Sequence, residues 1–332
     1  MMKVKKTALA AGVAAAIALG LAGHANASVY ASSALAIKDF TVQIATPTAN
    51  PIKTYEFTIT NTATLNGVSA PVQTNTCSGG APGTGCTGSP SLDVAAANAP
   101  GGTVTRSNND FSFFGPGTNT YSNADSVIYT SELGGTGPSS TQQIAESEIQ
   151  STGSARANAE ITSNTGFSFT FTVSGTGSLV LSFNADPSLY AEINQLLFTN
   201  GSAQANMNAS FTLSKDDGTS TVNWRPNGTQ GINDCTVVGS VASVACTEDN
   251  DNADLNQNVG VTSNPGVAQL SRAAGWSLMG ISVNGLTDGD WTLVFNAVTS
   301  TTVRTVPEPS ALALLGIAVA GMGAVTRRRK LV

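Results

Sequence analysis

The amino-acid sequence predicts an all-β protein whose body is an antiparallel β-sandwich of jelly-roll type. Several segments alternate apolar and polar residues with a period of two, which is typical of strands that bury one face. Glycine-containing turn signals separate these segments. The composition agrees, because charged residues make up only 11% and aromatic residues 6% of the 332 residues, whereas glycine occurs 34 times.

The predicted strands follow this alternation along the chain. The alternating segments are residues 52–60, 167–173, 179–183, 209–213, 222–224, 276–283 and 291–297. Turn signals, the first and second of them predicted as hairpin turns, occur at residues 174–177, 215–218 and 286–289. A change of phase between Leu278 and Ile281 predicts a β-bulge at Met279 and Gly280. Residues 139–165 are less clear, since 144–149 suit a short helix whereas 155–161 alternate like a strand.

The body is expected to be one domain, residues 28–304, between two terminal segments, 1–27 and 305–332. Residues around 66–120 are rich in glycine and proline and have little alternation. This composition predicts a loop-rich insertion between two strands of the sandwich rather than a second domain.

Residues 1–27 are typical of a secretory signal peptide. Three lysines precede an apolar stretch over residues 7–23. Ala25 and Ala27 then form an A-x-A motif, so cleavage is expected before Ser28. The segment therefore predicts export with the Sec machinery as a partner. An uncleaved N-terminal anchor is the alternative.

The C-terminus combines a proline-rich motif, an apolar run and a basic tail. These are Val306, Pro307, Glu308 and Pro309, then residues 311–325, then Arg327, Arg328, Arg329 and Lys330. As a helix the apolar run covers about 23 Å, which is short of a membrane core of roughly 30 Å, and snorkelling arginines make up the difference. The basic tail is expected on the cytoplasmic side, which places the body outside the inner membrane.

Together these three features resemble the PEP-CTERM sorting signal of Gram-negative bacteria over residues 306–330. The resemblance implies recognition by an exosortase, a membrane-embedded transpeptidase-like enzyme, and removal of the tail. It also implies an inner-membrane precursor, a final location at the cell surface or in the extracellular matrix, and a bacterium that makes exopolysaccharide. A plain C-terminal membrane anchor is the alternative. The signal does not determine what the body does.

Histidine content and charge exclude several classes of function. His24 is the only histidine and lies in the predicted signal peptide. The mature chain then has no imidazole, which excludes Ser-His and Cys-His catalysis and histidine metal sites. From Ser28 to Val306 there are 8 basic and 20 acidic residues, a net charge of −12. Such a body repels phosphate backbones, so no nucleic-acid partner is expected.

The four cysteines fall into two local pairs and allow three connectivities. Export to an oxidising compartment favours disulfides, and proximity in sequence favours Cys77–Cys86 and Cys235–Cys246. Neither pair has C-x-x-C spacing, and no histidine accompanies them, so a metal or redox site is the less favoured alternative.

Two further groups of residues were considered as sites. Asp249, Asp251 and Asp254 lie in the densest acidic run and are a weak calcium candidate, because they lack the glycine and third ligand of an EF-hand loop. A solvated loop is the simpler interpretation, so no metal and no cofactor are expected. Trp224, Trp276 and Trp291 suit either a sugar-stacking platform or, given their alternating neighbours, the core.

The leading hypothesis is a non-catalytic structural or adhesive protein associated with exopolysaccharide or biofilm. The alternatives are a carbohydrate-binding module and an exported glycan-active enzyme that uses a carboxylate pair, which needs no histidine. Polysaccharide is the corresponding partner. The sequence singles out no carboxylate pair.

Overall fold

The computed structural model describes residues 27–47, 51–80, 91–117, 119–129, 139–151, 157–194, 199–239, 243–262, 265–270 and 275–307. Within these ranges the chain forms strands and no helix, and every strand pair is antiparallel. The strands are β1 (Ala27–Ala45), β2 (Ile52–Leu65), β3 (Val68–Ser69), β4 (Gln73–Gly80), β5 (Ser91–Asp93), β6 (Ala97–Asn98), β7 (Tyr121–Tyr129), β8 (Ser139–Ser151), β9 (Ala157–Asn194), β10 (Thr199–Lys215), β11 (Ser220–Trp224), β12 (Thr236–Gly239), β13 (Ala245–Asp251), β14 (Asn258–Thr262), β15 (Gly266–Gln269) and β16 (Ser277–Pro307). The all-β, antiparallel prediction is confirmed.

A folded ribbon of two long strands, β9 and β16, organises the molecule. The strands pair from Ala157↔Thr305 to Ala185↔Ser277, and the register shifts twice near the middle. Glycines make this bend possible: Gly175 has a φ of 73°, and a Cβ at Gly285 would lie 1.9 Å from the carbonyl oxygen of Ser243. Each strand therefore contributes one half to each of two layers.

In each of the two layers, the halves of β9 and β16 lie side by side at the centre, and further strands pair with them on both sides. One layer contains β7, β8, β1, residues 178–194 of β9, residues 277–284 of β16, and β13. The other contains β4, β2, residues 157–172 of β9, residues 289–307 of β16, β10 and β11. β1 passes into β2 at the same bend, since Ala45 pairs with Ser178 and Ile52 with Phe171.

Aromatic rings from both layers meet in the core. Phe40 of β1 lies 4.5 Å, between ring centroids, from Phe167 of the opposite layer. Phe183 of the first layer lies 5.4 Å from Phe211 of the second, and Phe211 lies 4.5 Å from Phe295. These contacts follow from the period-two alternation, because the odd-numbered residues 163–173 and 177–193 of β9 and 201–213 of β10 are buried. The sandwich architecture is therefore observed, while the jelly-roll connectivity stays a prediction.

Three local predictions need correction. Residues 174–177 and 286–289 are not turns that end strands. They lie inside β9 and β16 at the bend of the ribbon, where the β9–β16 register shifts between Asn284 and Leu286 and again between Thr287 and Gly289. No bulge occurs at Met279 and Gly280 in the β9–β16 pairing. Met279 is buried, as are Ile281 and Val283, whereas Leu278 is exposed. The alternation of buried and exposed residues is therefore unbroken here, and Leu278 is not a core residue.

Other segments agree with the sequence or settle its alternatives. Residues 215–218 form the turn between β10 and β11, as predicted. Residues 144–149 lie in strand β8 between β1 and β7, not in a helix. Ile149 faces the core, whereas Ile144 is buried on the opposite face of the strand. Strand β1 was not predicted from the sequence.

Candidate functional site

The C-terminal sorting segment begins at the end of a central strand. β16 ends at Pro307, and Val306 and Pro307 pair with Asn200 and Thr199 of β10. Thr305 is buried. The rest of the predicted motif, Glu308 and Pro309, lies outside the described residues, as do the apolar run and Arg327, Arg328, Arg329 and Lys330. Within the described part of the chain, no helix is both long and apolar enough to cross a membrane. The motif therefore follows the sheet without a linker.

The expected start of the mature chain lies beside this exit point. Ser28 pairs on one side with Gln150 and on the other with Asn194, whereas Ala25 lies outside the described residues. Gly201 of β10 fits between the two termini. A Cβ at this position would lie 2.9 Å from Cγ2 of Val29 and 3.3 Å from the carbonyl oxygen of Arg304. The first residues of β1 and the last residues of β16 therefore lie at the same end of the sandwich.

An ion pair lies on the outer side of the first layer, and we call Arg106, Glu146 and Tyr30 the arginine centre. The guanidinium of Arg106 pairs with Glu146, and both side chains are fully buried. The Tyr30 hydroxyl donates to Glu146 Oε1 at 2.6 Å. Arg106 also stacks on Phe114, with its Cζ 4.5 Å from the ring centroid.

Backbone amides of the segment before β7 complete this centre. The N–H groups of Phe114 and Gly115 donate to Glu146, and that of Gly117 donates to Glu148 Oε1 at 2.9 Å. These bonds hold residues 106–117 over β7 and β8. Residues 121–128 of β7 are consequently buried on both faces. Within the segment predicted as a loop-rich insertion, residues 106–117 thus form a cover that packs on the sheet. The same segment also contains β4, which pairs with β2 in the second layer, and the short strands β3, β5 and β6.

Two other carboxyl groups under this cover have raised pKa values. Burial raises the pKa of Glu148 to about 7, against the opposing effect of the N–H bonds from Gly117 and Asn119. Burial also raises the pKa of Asp125 to about 6, although the N–H groups of Asn109 and Ser126 donate to it. Sequence reasoning missed this region, because its charged residues come from three separate segments: the stretch before β7, β7 and β8.

A second carboxylate group lies at the opposite edge of the sandwich, and we call Asp234, Glu248 and Asp251 the acidic cluster. One oxygen from each residue lies within 4.8 Å of the others. Glu248 and Asp251 come from β13, and Asp234 comes from the loop before β12. The Trp224 indole N–H donates to Glu248 Oε2 at 2.8 Å, which links the cluster to β11 of the other layer.

Burial is the main cause of the raised pKa values of Glu248 and Asp251 in the acidic cluster. Neighbouring carboxylates act in the same direction: Asp251 and Asp234 on Glu248, and Asp234 and Asp254 on Asp251. Bonds from N–H donors oppose this effect on each group, including the Trp224 indole on Glu248.

The acidic cluster shares only one residue with the calcium candidate from the sequence. Asp251 belongs to both groups. Asp249 is exposed and accepts a bond from the Ser282 hydroxyl, and Asp254 caps the N–H of Asn256 at 2.7 Å. The β13–β16 register shifts between Glu248 and Asn250, at Asp249, and Asp254 lies beyond the end of β13, so the compact run does not converge. Asp234 takes their place, because the disulfide next to it folds its loop onto β13.

That disulfide joins Cys235 to Cys246, as predicted, with Cα atoms 5.8 Å apart. It connects the loop after β11 to β13, so Asp234 and Glu248 lie within two residues of the bridged cysteines. The adjacency of Asp234 to Cys235 was the available sequence signal for the cluster. The predicted Cys77–Cys86 pairing remains a prediction, because Cys86 lies outside the described residues.

The three tryptophans do not form a platform. Trp224 and Trp291 are fully buried, and only Trp276 is exposed, at 43%. The ammonium group of Lys38 covers the Trp276 ring at 4.3 Å from its centroid. The core interpretation is therefore correct for two of the three, because their positions alternate in phase with the inward-facing residues of β11 and β16.

Comparison with known proteins identifies the C-terminal segment. The family model of the PEP-CTERM protein-sorting motif matches residues 305–330. A search of curated proteins found no match. Among solved structures, one similar structure is that of the infectious bursal disease virus Gx strain, with 12% sequence identity and a TM-score of 0.10. The match covers 92% of this chain and 75% of the viral chain. The crystal structure of the VP2 subviral particle of infectious bursal disease virus is 13% identical, with coverages of 85% and 81% and a TM-score of 0.09. At these TM-scores the likeness has no weight for fold or function.

Fold and motif together define the class of protein: an exported all-β protein with a disulfide-linked sandwich. More particularly, the chain carries a PEP-CTERM sorting signal, which implies processing by an exosortase.

Proposed function

We propose that the mature protein is a non-catalytic structural or adhesive component of the cell surface or of the exopolysaccharide matrix. The observation that carries this proposal is the direct junction between β16 and the sorting motif, with the start of β1 beside it. Both membrane-directed segments of the precursor leave from one end, so the sandwich of the precursor stands on the inner membrane at that end. The opposite end, at the ribbon bend, then points away from the cell.

The surface chemistry supports a role in an extracellular polymer. With a net charge of −12 over the body, the sandwich stays soluble and repels other anionic polymers unless cations bridge them. The long strands and the disulfide give a chain that resists unfolding outside the cell. Neither property requires a catalytic centre.

Mass spectrometry of the exported protein tests the route. We expect the mature chain to begin at Ser28 and to lack Arg327 to Lys330. In cells without the exosortase, the tail should remain and the protein should stay in the inner membrane. An exported form that keeps an intact basic tail would contradict sorting by an exosortase.

Deletion of the gene tests the role of the mature protein. A structural or adhesive component should lower the cohesion or surface attachment of the cell layer when it is absent, and re-expression should restore it. An unchanged layer, together with turnover of a glycan by the purified protein that a single carboxylate substitution abolishes, would instead establish the enzyme alternative. Glycan-array binding lost on Trp276→Ala would establish the binding-module alternative.

A further inference from the structure

The acidic cluster has no positive partner within the described chain. Its three carboxylates each place an oxygen within 4.8 Å of the others. The ion pairs of the described residues are Lys53–Asp290, Arg106–Glu146 and Lys215–Asp217, and none of them involves the cluster. Like charges at this separation repel one another, and partial burial weakens the screening by water.

Two carboxylate oxygens of the cluster are also buried without a hydrogen-bond donor. Asp251 is only 1% exposed. Its Oδ2 accepts the N–H groups of Asn227 and Gly228 at 2.8 and 2.9 Å, whereas its Oδ1 has no partner among the described residues. Oδ2 of Asp234 is likewise buried and unpartnered. A buried charged oxygen without a partner is costly, and a bound cation removes that cost.

We propose that Asp234, Glu248 and Asp251 bind a calcium ion. The donors are all oxygens, since the two neighbouring cysteines are joined in the disulfide and the mature chain has no histidine. Such a set suits a hard cation rather than zinc or copper. Three carboxylates on one ion favour Ca²⁺, because Mg²⁺ dehydrates reluctantly and usually keeps several waters.

The ion would lock one edge of the sandwich. Asp251 and Glu248 lie on β13 of the first layer, whereas Asp234 follows β11 of the second. The N–H groups of Asn227 and Gly228 hold the Asp251 carboxylate in place from the same loop. Calcium therefore joins the two layers beside the disulfide, and it does so in the compartment where calcium is abundant. Extracellular calcium modules bind with dissociation constants of about 10⁻⁴–10⁻³ M.

Terbium luminescence on the exported, disulfide-bonded protein tests the site. Tb³⁺ takes the place of Ca²⁺ at oxygen sites, and the Trp224 indole, hydrogen-bonded to Glu248, is close enough to sensitise it. We expect saturable emission on excitation of tryptophan, reversed by Ca²⁺ and much less by Mg²⁺. Asp234→Asn should weaken Tb³⁺ binding at least tenfold. Asp217→Asn, at the exposed turn after β10, is the matched control and should bind like the wild type.

Thermal unfolding gives a second readout. Calcium at millimolar concentration should raise the Tm of the wild type and of Asp217→Asn, but not of Asp234→Asn. Asp251→Asn keeps an acceptor for the two N–H groups and should behave like Asp234→Asn. If it fails to fold, the Asp234→Asn comparison decides alone. Absent emission, an equal response of Asp234→Asn and wild type, or displacement by Mg²⁺ as strong as by Ca²⁺ would each overturn the proposal.

Discussion

The arginine centre and the acidic cluster both bury a carboxylate, but only the arginine centre pairs it with a positively charged side chain. Glu146 in the arginine centre is fully buried and has a guanidinium, a tyrosine hydroxyl and two backbone N–H groups as partners. Asp251 in the acidic cluster is nearly as buried, yet it has only two N–H groups and faces two further carboxylates. Within the described chain, the carboxylate of the arginine centre has a positive partner, although Nε of Arg106 is buried without an acceptor, whereas the acidic cluster has no positive partner.

This difference separates a structural role from a binding role. Buried charges persist in folded proteins when they are paired and hydrogen-bonded. The arginine centre meets that condition, so it pins the cover segment to β7 and β8. The acidic cluster does not, and the disulfide beside it holds its residues together instead.

The largest expected effect on stability comes from removing the buried guanidinium of Arg106. Arg106→Leu leaves Glu146 buried without its partner, so the free energy of unfolding should fall by about 3–5 kcal/mol in urea denaturation. The matched control is Lys53→Ala, which removes the exposed pair with Asp290. This control should cost about 1 kcal/mol or less. Equal losses for the two variants would contradict the distinction between a buried and an exposed pair.

The second effect concerns the disulfide that organises the acidic cluster. Replacing Cys235 and Cys246 together by alanine reopens a loop with a sequence separation of 11. The free energy of unfolding should fall by about 2–3 kcal/mol. The double variant should also bind Tb³⁺ more weakly, because Asp234 is no longer held against β13. Unchanged terbium affinity would show that the loop is positioned without the bridge.

The smallest expected effect is a pH dependence of stability, which is caused by the carboxyl groups under the cover segment. The pKa of Glu148 is about 7 in the folded protein and near 4.5 in an ordinary environment. As the pH rises, the unfolded chain therefore loses the Glu148 proton before the folded protein does. The contribution of Glu148 to the free energy of unfolding is complete below about pH 4.5 and is lost as the pH rises to about 7. Asp125 acts in the same direction up to about pH 6. Glu148→Gln should flatten the fall of the urea midpoint between pH 5 and pH 7.5.

Asp217 provides the control for this pH effect. Hydrogen bonds from Thr219, followed by Lys215, lower its pKa to about 2. Its contribution is therefore lost only as the pH falls below about 4, so Asp217→Asn should leave the profile between pH 5 and pH 7.5 unchanged. A wild-type midpoint that rises over this interval would contradict the raised pKa of Glu148.

Much of the fold was predictable because period-two alternation is a local property. The core positions of β2 and β10 and the second half of β16 follow directly from it, as do the turn at 215–218 and the Cys235–Cys246 pair. The errors occurred where a partner strand decides the geometry. Residues 174–177 resemble a hairpin turn, yet they continue β9 through a bend, because Gly177 pairs with Leu286 and Thr176 with Thr287 of β16. Likewise Asp234 joins Glu248 and Asp251 only through a loop closure that strand alternation does not reveal.

The sequence by itself determined the class and the destination of this protein. Alternation encodes strands residue by residue, and the linear order of motif, apolar run and basic tail encodes sorting. Tertiary structure alone decided that Ala27 and Pro307 lie at one end of the sandwich, which carboxylates converge in the acidic cluster, and which carboxylate pairs with an arginine. The physical reason is range: propensity and alternation act over neighbouring residues, whereas burial and electrostatic interaction depend on distances that folding creates between segments far apart in the chain.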